Sequence, residues 1–281
     1  MNLKNEVIME EVLKYDTLQS AYEKLYKSNK ELLDSIYYAE SVQKGILPHD
    51  RHFKQLFENY FIIYKPLGII GGDLYWLGRK GKIKYFAVGD CTGHGVSGAI
   101  LSVMALSFLN YIVLGKEFNS IGEVLNELDK KWIETFHQGV ELGFNNDWLE
   151  IGICSFNEET RELQFSGAFN KLTYVCENEI KEIVGSKYPI GGWQLEEKRE
   201  YKTHSLILKE NTSIYLYSDG FKDQFGYLSK KRFSSKRFKE LLLKSQEFSM
   251  EKQKLSIEKE FNCWKGIEEQ TDDVCLLGLQ L

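Results

Sequence analysis

From Met1 to Lys44 the chain contains neither glycine nor proline, and that absence favours uninterrupted helix over the whole segment. Within it apolar side chains recur at heptad spacing, Leu18, Leu25, Leu32, Ala39 and Ile46, with Tyr15, Tyr22, Asn29 and Ile36 at the companion positions. The pattern is an a/d seam, and a single asparagine at an a-type position, Asn29, favours a parallel two-stranded register at some cost in stability. Two arrangements satisfy the seam: pairing with a second copy, or docking of the stripe on the chain's own globular part. Light scattering separates them, since a monomer at micromolar concentration removes the first. Gly45 to Pro48 ends the helix, so residues 1–46 read as a helical linker and 47–281 as a separate domain.

From Tyr60 the periodicity changes to short β-rich runs parted by turns. Strands are expected at Tyr60–Lys65, Leu74–Leu77, Lys82–Val88, Leu149–Phe156, Glu162–Ser166, Leu172–Glu177, Lys202–Leu208, Ser213–Tyr217 and Val274–Leu279. Helical patterns lie at Val96–Leu114, Ser120–His137, Ser235–Leu243 and Ser249–Phe261, and His49-Asp50 beside Pro48 reads as loop. Hairpins turning at Gly78–Gly81 and Asn157–Thr160, with helices inserted in blocks, predict an α+β layered domain rather than a doubly wound parallel sheet. No internal repeat or low-complexity tract is evident.

Composition narrows the function classes. The apolar content of the 281 residues is ample for a core, which excludes disorder of the whole chain. A formal net charge of -5 argues against a general polyanion binder, and so against nucleic acid as the partner. Cys91, Cys154, Cys176, Cys263 and Cys275 are scattered and form no C-x-x-C pair, which fits a reducing cytoplasmic compartment. Acidic residues between Met1 and Glu11 replace the basic and apolar stretches of an export signal. Ala99–Leu114, the most apolar run, carries Ser102, Ser107 and Asn110 and is short of the about 20 residues of a bilayer span. It reads as a buried helix, with no direct membrane insertion.

The aspartates sit where strands begin and end. Asp73 follows Gly71-Gly72, Asp90 follows the apolar Tyr85-Phe86-Ala87-Val88, Asp219 follows Ile214-Tyr215-Leu216-Tyr217-Ser218, and Asp272-Asp273 precedes the last strand. Taken singly, such a residue is usually a turn or cap. Four carboxylates converging on rigid backbone repel one another and are costly to desolvate, and divalent cations relieve that cost. Hard oxygen donors suit Mg²⁺ or Mn²⁺, whereas zinc would call for His or Cys at fixed spacing. His49, His52, His94, His137 and His204 offer no such pair.

Gly71-Gly72-Asp73-Leu74-Tyr75-Trp76, the run Gly89-Asp90-Cys91-Thr92-Gly93-His94-Gly95 through Ala99, Ser218-Asp219-Gly220-Phe221-Lys222-Asp223-Gln224-Phe225-Gly226 and Gln270-Thr271-Asp272-Asp273-Val274 together resemble the successive motifs of the PPM metal-dependent phosphatases, in the bacterial SpoIIE-like branch. Asp34 through Gln43 and Leu47-Pro48 resemble the linker helix preceding that domain in sensor-coupled members. The resemblance implies a four-layer αββα sandwich with two central antiparallel sheets, preceded by an N-terminal linker helix. It also implies two Mn²⁺ or Mg²⁺ ions per active site. Asp90 would bridge both ions, Asp73 and the Cys91 carbonyl would complete one site, and Asp219 with Asp272 the other. Asp273 is then supporting rather than a ligand. Two cations about 3.5–4 Å apart acidify a shared water and offset charge on a phosphoryl group, so no covalent nucleophile is required.

The pattern also departs from relatives. No arginine precedes Asp73 in the place where the eukaryotic branch binds phosphate, which leaves phosphate recognition to the metals. His94 is displaced from the position of a histidine in that branch and is expected to be a loop residue bonded to backbone. Gly93, Gly95 and Gly98 let the loop turn into the following helix rather than cradle a phosphate. Asn170 is either a supporting residue beneath the site or a turn. Asp147 and Glu150, in the stretch Asn145 to Cys154, are read as a loop before a strand, with a third weak metal position as the competing role. Asp223 and Gln224 are expected in a flap near the substrate entrance. Lys230-Lys231-Arg232 with Lys236, Arg237 and Lys239 reads as a solvated helix entrance, with a surface for an acidic or phosphorylated partner as the competing role.

The expected activity is metal-dependent hydrolysis of phosphoserine or phosphothreonine on a partner protein. The resemblance implies an anti-anti-sigma (STAS) type regulator as that partner, and the chain reads as standalone or as the output domain of a larger sensor protein. The alternative is a catalytically weak module that binds a phosphorylated STAS-type partner; loss of a metal carboxylate would mark it, and all four positions are intact. A dinuclear nuclease would use similar ligands, but the acidic balance counts against it.

Overall fold

Strand after strand in this chain is apolar on both faces, which requires a layer above and a layer below each sheet. The computed structural model describes residues 3–138, 146–196 and 198–281, with side chains described from Leu13 onward. The first half runs through helices α1 (Leu3–Ile46) and α2 (Asp50–Leu56), strands β1 (Asn59–Lys65), β2 (Asp73–Lys80) and β3 (Ile83–Cys91), then helices α3 (Gly95–Leu109), which continues as a π-helical turn (Asn110–Leu114), and α4 (Ile121–Phe136). The second half holds β4 (Trp148–Asn157), β5 (Glu162–Ala168), β6 (Lys171–Cys176), β7 (Glu179–Val184), β8 (Ile190–Gly191), β9 (His204–Ile207) and β10 (Ser213–Tyr217). Helices α5 (Gly220–Asp223), α6 (Ser235–Ser245) and α7 (Met250–Lys265) lead to β11 (Val274–Gln280).

Contacts divide the chain into two units, Met1–Val42 and Gln43–Leu281. The first is helix alone, and Leu18, Tyr22, Leu25 and Leu32 on its heptad stripe are each at least 59% exposed. The second contains two antiparallel sheets, ordered β1-β11-β10-β6-β7 and β2-β3-β4-β5-β9, with β8 paired to β4.

Three apolar clusters occupy the three gaps of a four-layer αββα sandwich. Ala87, Trp76 and Ile151 face Leu106, Leu125 and Trp132 of the first helix layer. Phe86, Val88 and Phe165 meet Ile214, Leu216 and Leu277 between the sheets. Tyr215, Ile63 and Leu276 meet Phe238, Ile257 and Phe261 of the second helix layer. In β3 and β10 alternate side chains enter adjacent clusters, Ala87 against Phe86 and Val88, Tyr215 against Ile214 and Leu216. Each fully buried side chain of this kind contributes about 1.5–3 kcal/mol. The α+β sandwich with two antiparallel sheets is thus the observed architecture.

Several local expectations need correction. His49-Asp50 is the start of α2, not loop: the His49 backbone N–H donates to His52 Nδ1 at 3.0 Å. Residues Glu179–Val184 and Ile190–Gly191 form strands that were not expected, and the strand expected at Lys202–Leu208 contracts to His204–Ile207. Gly78 lies within β2, and the turn is made at Gly81, whose φ of 57° suits glycine. Gly95–Leu114 is long and apolar enough to cross a bilayer, yet half of its apolar window is buried inside the fold, as for a core helix.

Candidate active site

Backbone register assembles the first part of the site. Antiparallel pairing sets Asp73 of β2 directly opposite Asp90 of β3, and Asp90 opposite Glu150 of β4. Directly opposed residues share a face of a sheet, so three carboxylates stand side by side on neighbouring strands.

The other sheet supplies the rest. Ser218 follows β10, and its hydroxyl donates to Asp73 Oδ2 at 2.6 Å while accepting from the Cys275 N–H at 2.9 Å. That hydroxyl therefore ties the opening of β2 to the opening of β11. Asp219 comes next, at the N-terminal end of α5, and Asp272 lies just before β11.

Asp273 serves the backbone. Its Oδ1 accepts from the Leu67 N–H and its Oδ2 from the Gly72 N–H, each at 2.6 Å, which holds the turn that presents Asp73. The glycines of that turn are required by close approach: a Cβ on Gly71 would sit 2.5 Å from the Asp273 carboxylate, and one on Gly72 would sit 2.8 Å from the Cys91 carbonyl oxygen. Gln43 braces the same turn, its Nε2 donating to the Gly71 carbonyl at 2.7 Å and to Ser102 Oγ of α3 at 2.8 Å.

Burial and mutual repulsion set the electrostatics. Burial first, then the charge of Asp90, raises the Asp73 carboxyl well above the usual range, against the Ser218 hydrogen bond. Asp90 is pushed up to about 8 by burial, then by Asp219, Asp272 and Glu150. Glu150 is pushed up to about 7 by burial and then by Asp219, with Lys222 acting in the opposite sense. Burial also raises Asp219 and Asp272. The Cys91 thiol is raised by burial and by Asp90, which keeps it protonated and inert.

A hard divalent cation fits these residues. Asp73 Oδ1 and Asp219 Oδ1 are buried without any hydrogen-bond partner, a costly condition that a cation would relieve. The donors are oxygens throughout, as Mg²⁺ and Mn²⁺ prefer. The carboxylates face one another without closing into a compact cage: among the described residues no three His, Cys, Asp or Glu side chains form a ready-made metal cluster.

Beside them opens a cleft of about 450 Å³ whose lining includes Asp90, Glu150 and Asp219 together with Phe169, Asn170 and Val184. Lys171, Lys187 and Lys222 also line it. None of the three was singled out from sequence for a role in the site. The only signal for Lys222 was its place directly after Asp219-Gly220-Phe221; Lys187 carried none.

Other sequence candidates find plainer places. His94 is exposed at the N-terminal end of α3 and its carbonyl accepts from Ser97. Asp147 Oδ1 accepts from the Thr92 hydroxyl at 2.9 Å, and Asn145 lies outside the described residues. Asn170 lines the cleft and donates to the Tyr217 carbonyl at 3.3 Å. Asp223 pairs with Arg232 at 3.2 Å. Gln224, expected in an entrance flap, is instead fully buried and brackets Glu269 and Thr271. The basic cluster is largely engaged: Lys230 pairs with Glu268, Lys239 with Glu182, and Arg237 stacks over Trp264.

Solved structures place this sandwich among PP2C phosphatase domains. The SiaA-PP2C domain of Pseudomonas aeruginosa is 26% identical, with a TM-score of 0.81 over 90% of this chain and 98% of that one. The PP2C phosphatase domain with a fragment of the regulatory domain of SpoIIE from Bacillus subtilis shares the fold at 13% identity and a TM-score of 0.64, over 79% of this chain and 63% of that one. RsbX in complex with magnesium does so at 15% identity and a TM-score of 0.54, over 79% and 94%. A comparison with curated proteins gives no significant match. The sequence profile of Stage II sporulation protein E (SpoIIE) matches residues 82–281, and the chain belongs to that family.

Proposed function

We propose that this chain hydrolyses phosphoserine or phosphothreonine on a partner regulatory protein, with two Mg²⁺ or Mn²⁺ ions held between the two sheets. The observation that carries the reading is the meeting of Asp73, Asp90, Asp219 and Asp272 from both sheets, with the buried oxygens Asp73 Oδ1 and Asp219 Oδ1 left without partners. Membership of a phosphatase family supports it, as does the magnesium bound by the structural relative RsbX.

Asp73, Asp90, Asp219, Asp272 and the carbonyl of Cys91 would hold the ions. Bound there, the cations would lower the pKa of a water so that hydroxide is available near neutral pH, and would offset the charge of the phosphoryl oxygens. The chain's own contribution is placement. Ser218 and Asp273 fix the two ends of the site through hydrogen bonds, so that the carboxylates need not reorganise during reaction. The cleft beside them admits a phosphorylated side chain and buries its carbon stem against Phe169 and Val184. The ester's alcohol leaves on the seryl or threonyl side chain, and inorganic phosphate is the second product.

In this reading the partner is a phosphorylated STAS-type regulator, residues 1–46 form a linker that dimerises, and residues 47–281 form the phosphatase domain. Phosphate release from a phosphoserine protein and from p-nitrophenyl phosphate, assayed with Mn²⁺ or Mg²⁺, tests the activity. Asp90→Ala and Asp219→Ala should each lower turnover by at least about a hundredfold. Robust turnover in excess chelator, or by both variants, would overturn the mechanism.

A further inference from the structure

We infer that Lys222 is the cation that receives the phosphoryl group of the substrate, in place of the arginine that this sequence lacks before Asp73. The inference rests on the phosphatase reading above and extends it to a residue assigned no role there.

The first observation is placement. Lys222 lines the same cleft as Asp90, Glu150 and Asp219, three residues after Asp219 in the chain. The backbone that carries it is pinned. Gly220 lies against the Asp273 carbonyl so closely that a Cβ there would come within 1.9 Å, and Phe221 is buried among Phe233, Phe238 and Phe261. The pinned backbone fixes where the Lys222 stem begins, and half-burial within the cleft limits where its ammonium can go.

The second observation is elimination among nearby cations. Lys171 lines the same cleft but is bound to Glu182 at 2.5 Å. Lys65, the last residue of β1 and the basic residue that most nearly precedes Asp73 in the chain, pairs with Glu258 at 3.6 Å. Lys187 is exposed at the cleft, whereas Lys222 is half-buried within it. Among the described residues Lys222 forms no ion pair within 4 Å, so its donors are uncommitted. A phosphate dianion entering a cleft walled by Glu150 and Asp219 meets like charge on that wall, and Lys222 is the group placed to reverse it. A lysine suits the task as a compact point charge for phosphate oxygens.

The test compares wild type, Lys222→Met and Lys222→Arg. Kinetics with p-nitrophenyl phosphate give KM and the inhibition constant of inorganic phosphate, and calorimetry with inorganic phosphate in Mg²⁺ gives binding without turnover. Lys222→Met should weaken phosphate binding and raise KM by about 10- to 100-fold, the worth of a charged hydrogen bond. The midpoint of the metal titration should stay within about twofold, and Lys222→Arg should recover most of the loss. The inference fails if Lys222→Met leaves phosphate binding within about twofold. It fails equally if the metal midpoint moves by the same factor, which would make Lys222 a counter-ion of the carboxylates, or if Lys222→Arg is no better than Lys222→Met. A wild type that binds phosphate through Lys222 but turns nothing over would sink the phosphatase reading and leave this inference standing.

Discussion

At the scale of single residues, the site holds more negative charge than the surrounding fold compensates. Asp90 is raised to about 8 and Glu150 to about 7 by burial and by neighbouring carboxylates. A carboxyl raised on folding holds its proton more tightly in the native state than in the unfolded chain. Stability from these groups is therefore complete below about pH 4 and is lost as pH climbs through the folded values. The metal-free protein should melt at a higher temperature near pH 5 than near pH 8.5, and saturating Mg²⁺ should shrink that difference. Asp90→Asn should raise stability of the metal-free protein at pH 8 by about 0.5–2 kcal/mol while abolishing turnover, a trade of function against stability. Thermal melts across pH with and without Mg²⁺ check both, and a pH-independent melting temperature would contradict the assignment of charge. That the four aspartates stand at or beside strand ends was legible in the sequence, because each lies next to an apolar run whose strand character is plain. Glu150 was not legible as a neighbour of Asp90, because that adjacency comes from β3–β4 register between residues far apart in the chain. Lys222 was hidden for a related reason: a lysine on the short helix α5 becomes informative only once the other residues lining its cleft are known.

At the scale of elements, α5 shows how tightly the site loop is packed. Gly220→Ala would drive a methyl group into the Asp273 carbonyl. It should destabilise the protein by about 1–3 kcal/mol, and weaken metal affinity because Asp219 and Asp273 both shift. Denaturant unfolding and a metal titration measure the two effects, and a loss under about 0.5 kcal/mol would refute the packing. The long strands were readable from sequence, whereas β7 was not. Glu179-Ile180-Lys181-Glu182-Ile183-Val184 sits at the edge of its sheet, where charged residues guard an open ladder and dilute the apolar signal. Helix α2 escaped notice for another reason. Its hold on the core is the single buried residue Phe53, too little to register as periodicity.

At the scale of the molecule, two units of different character are joined in one chain. The heptad stripe of α1 is solvent-exposed at Leu18, Leu25 and Leu32, which is a surface suited to a second α1. Wild type should sediment as a dimer at micromolar concentration and Leu25→Glu as a monomer; a monomeric wild type would remove the dimer. The layered α+β plan was readable from strand and helix order, because alternation in blocks leaves few other ways to bury both faces of each sheet. The pairing of β1 with β11, the two ends of the second unit, was not. Ser218 gives this plan a further meaning. Its one hydroxyl is a rivet through both halves of the sandwich, so the spacing of the carboxylates measures how the two sheets are seated. A slip of a fraction of an ångström at that seam would reach Asp73 directly, and any force that unseats the sheets would pull the carboxylates of the two sheets out of their mutual spacing.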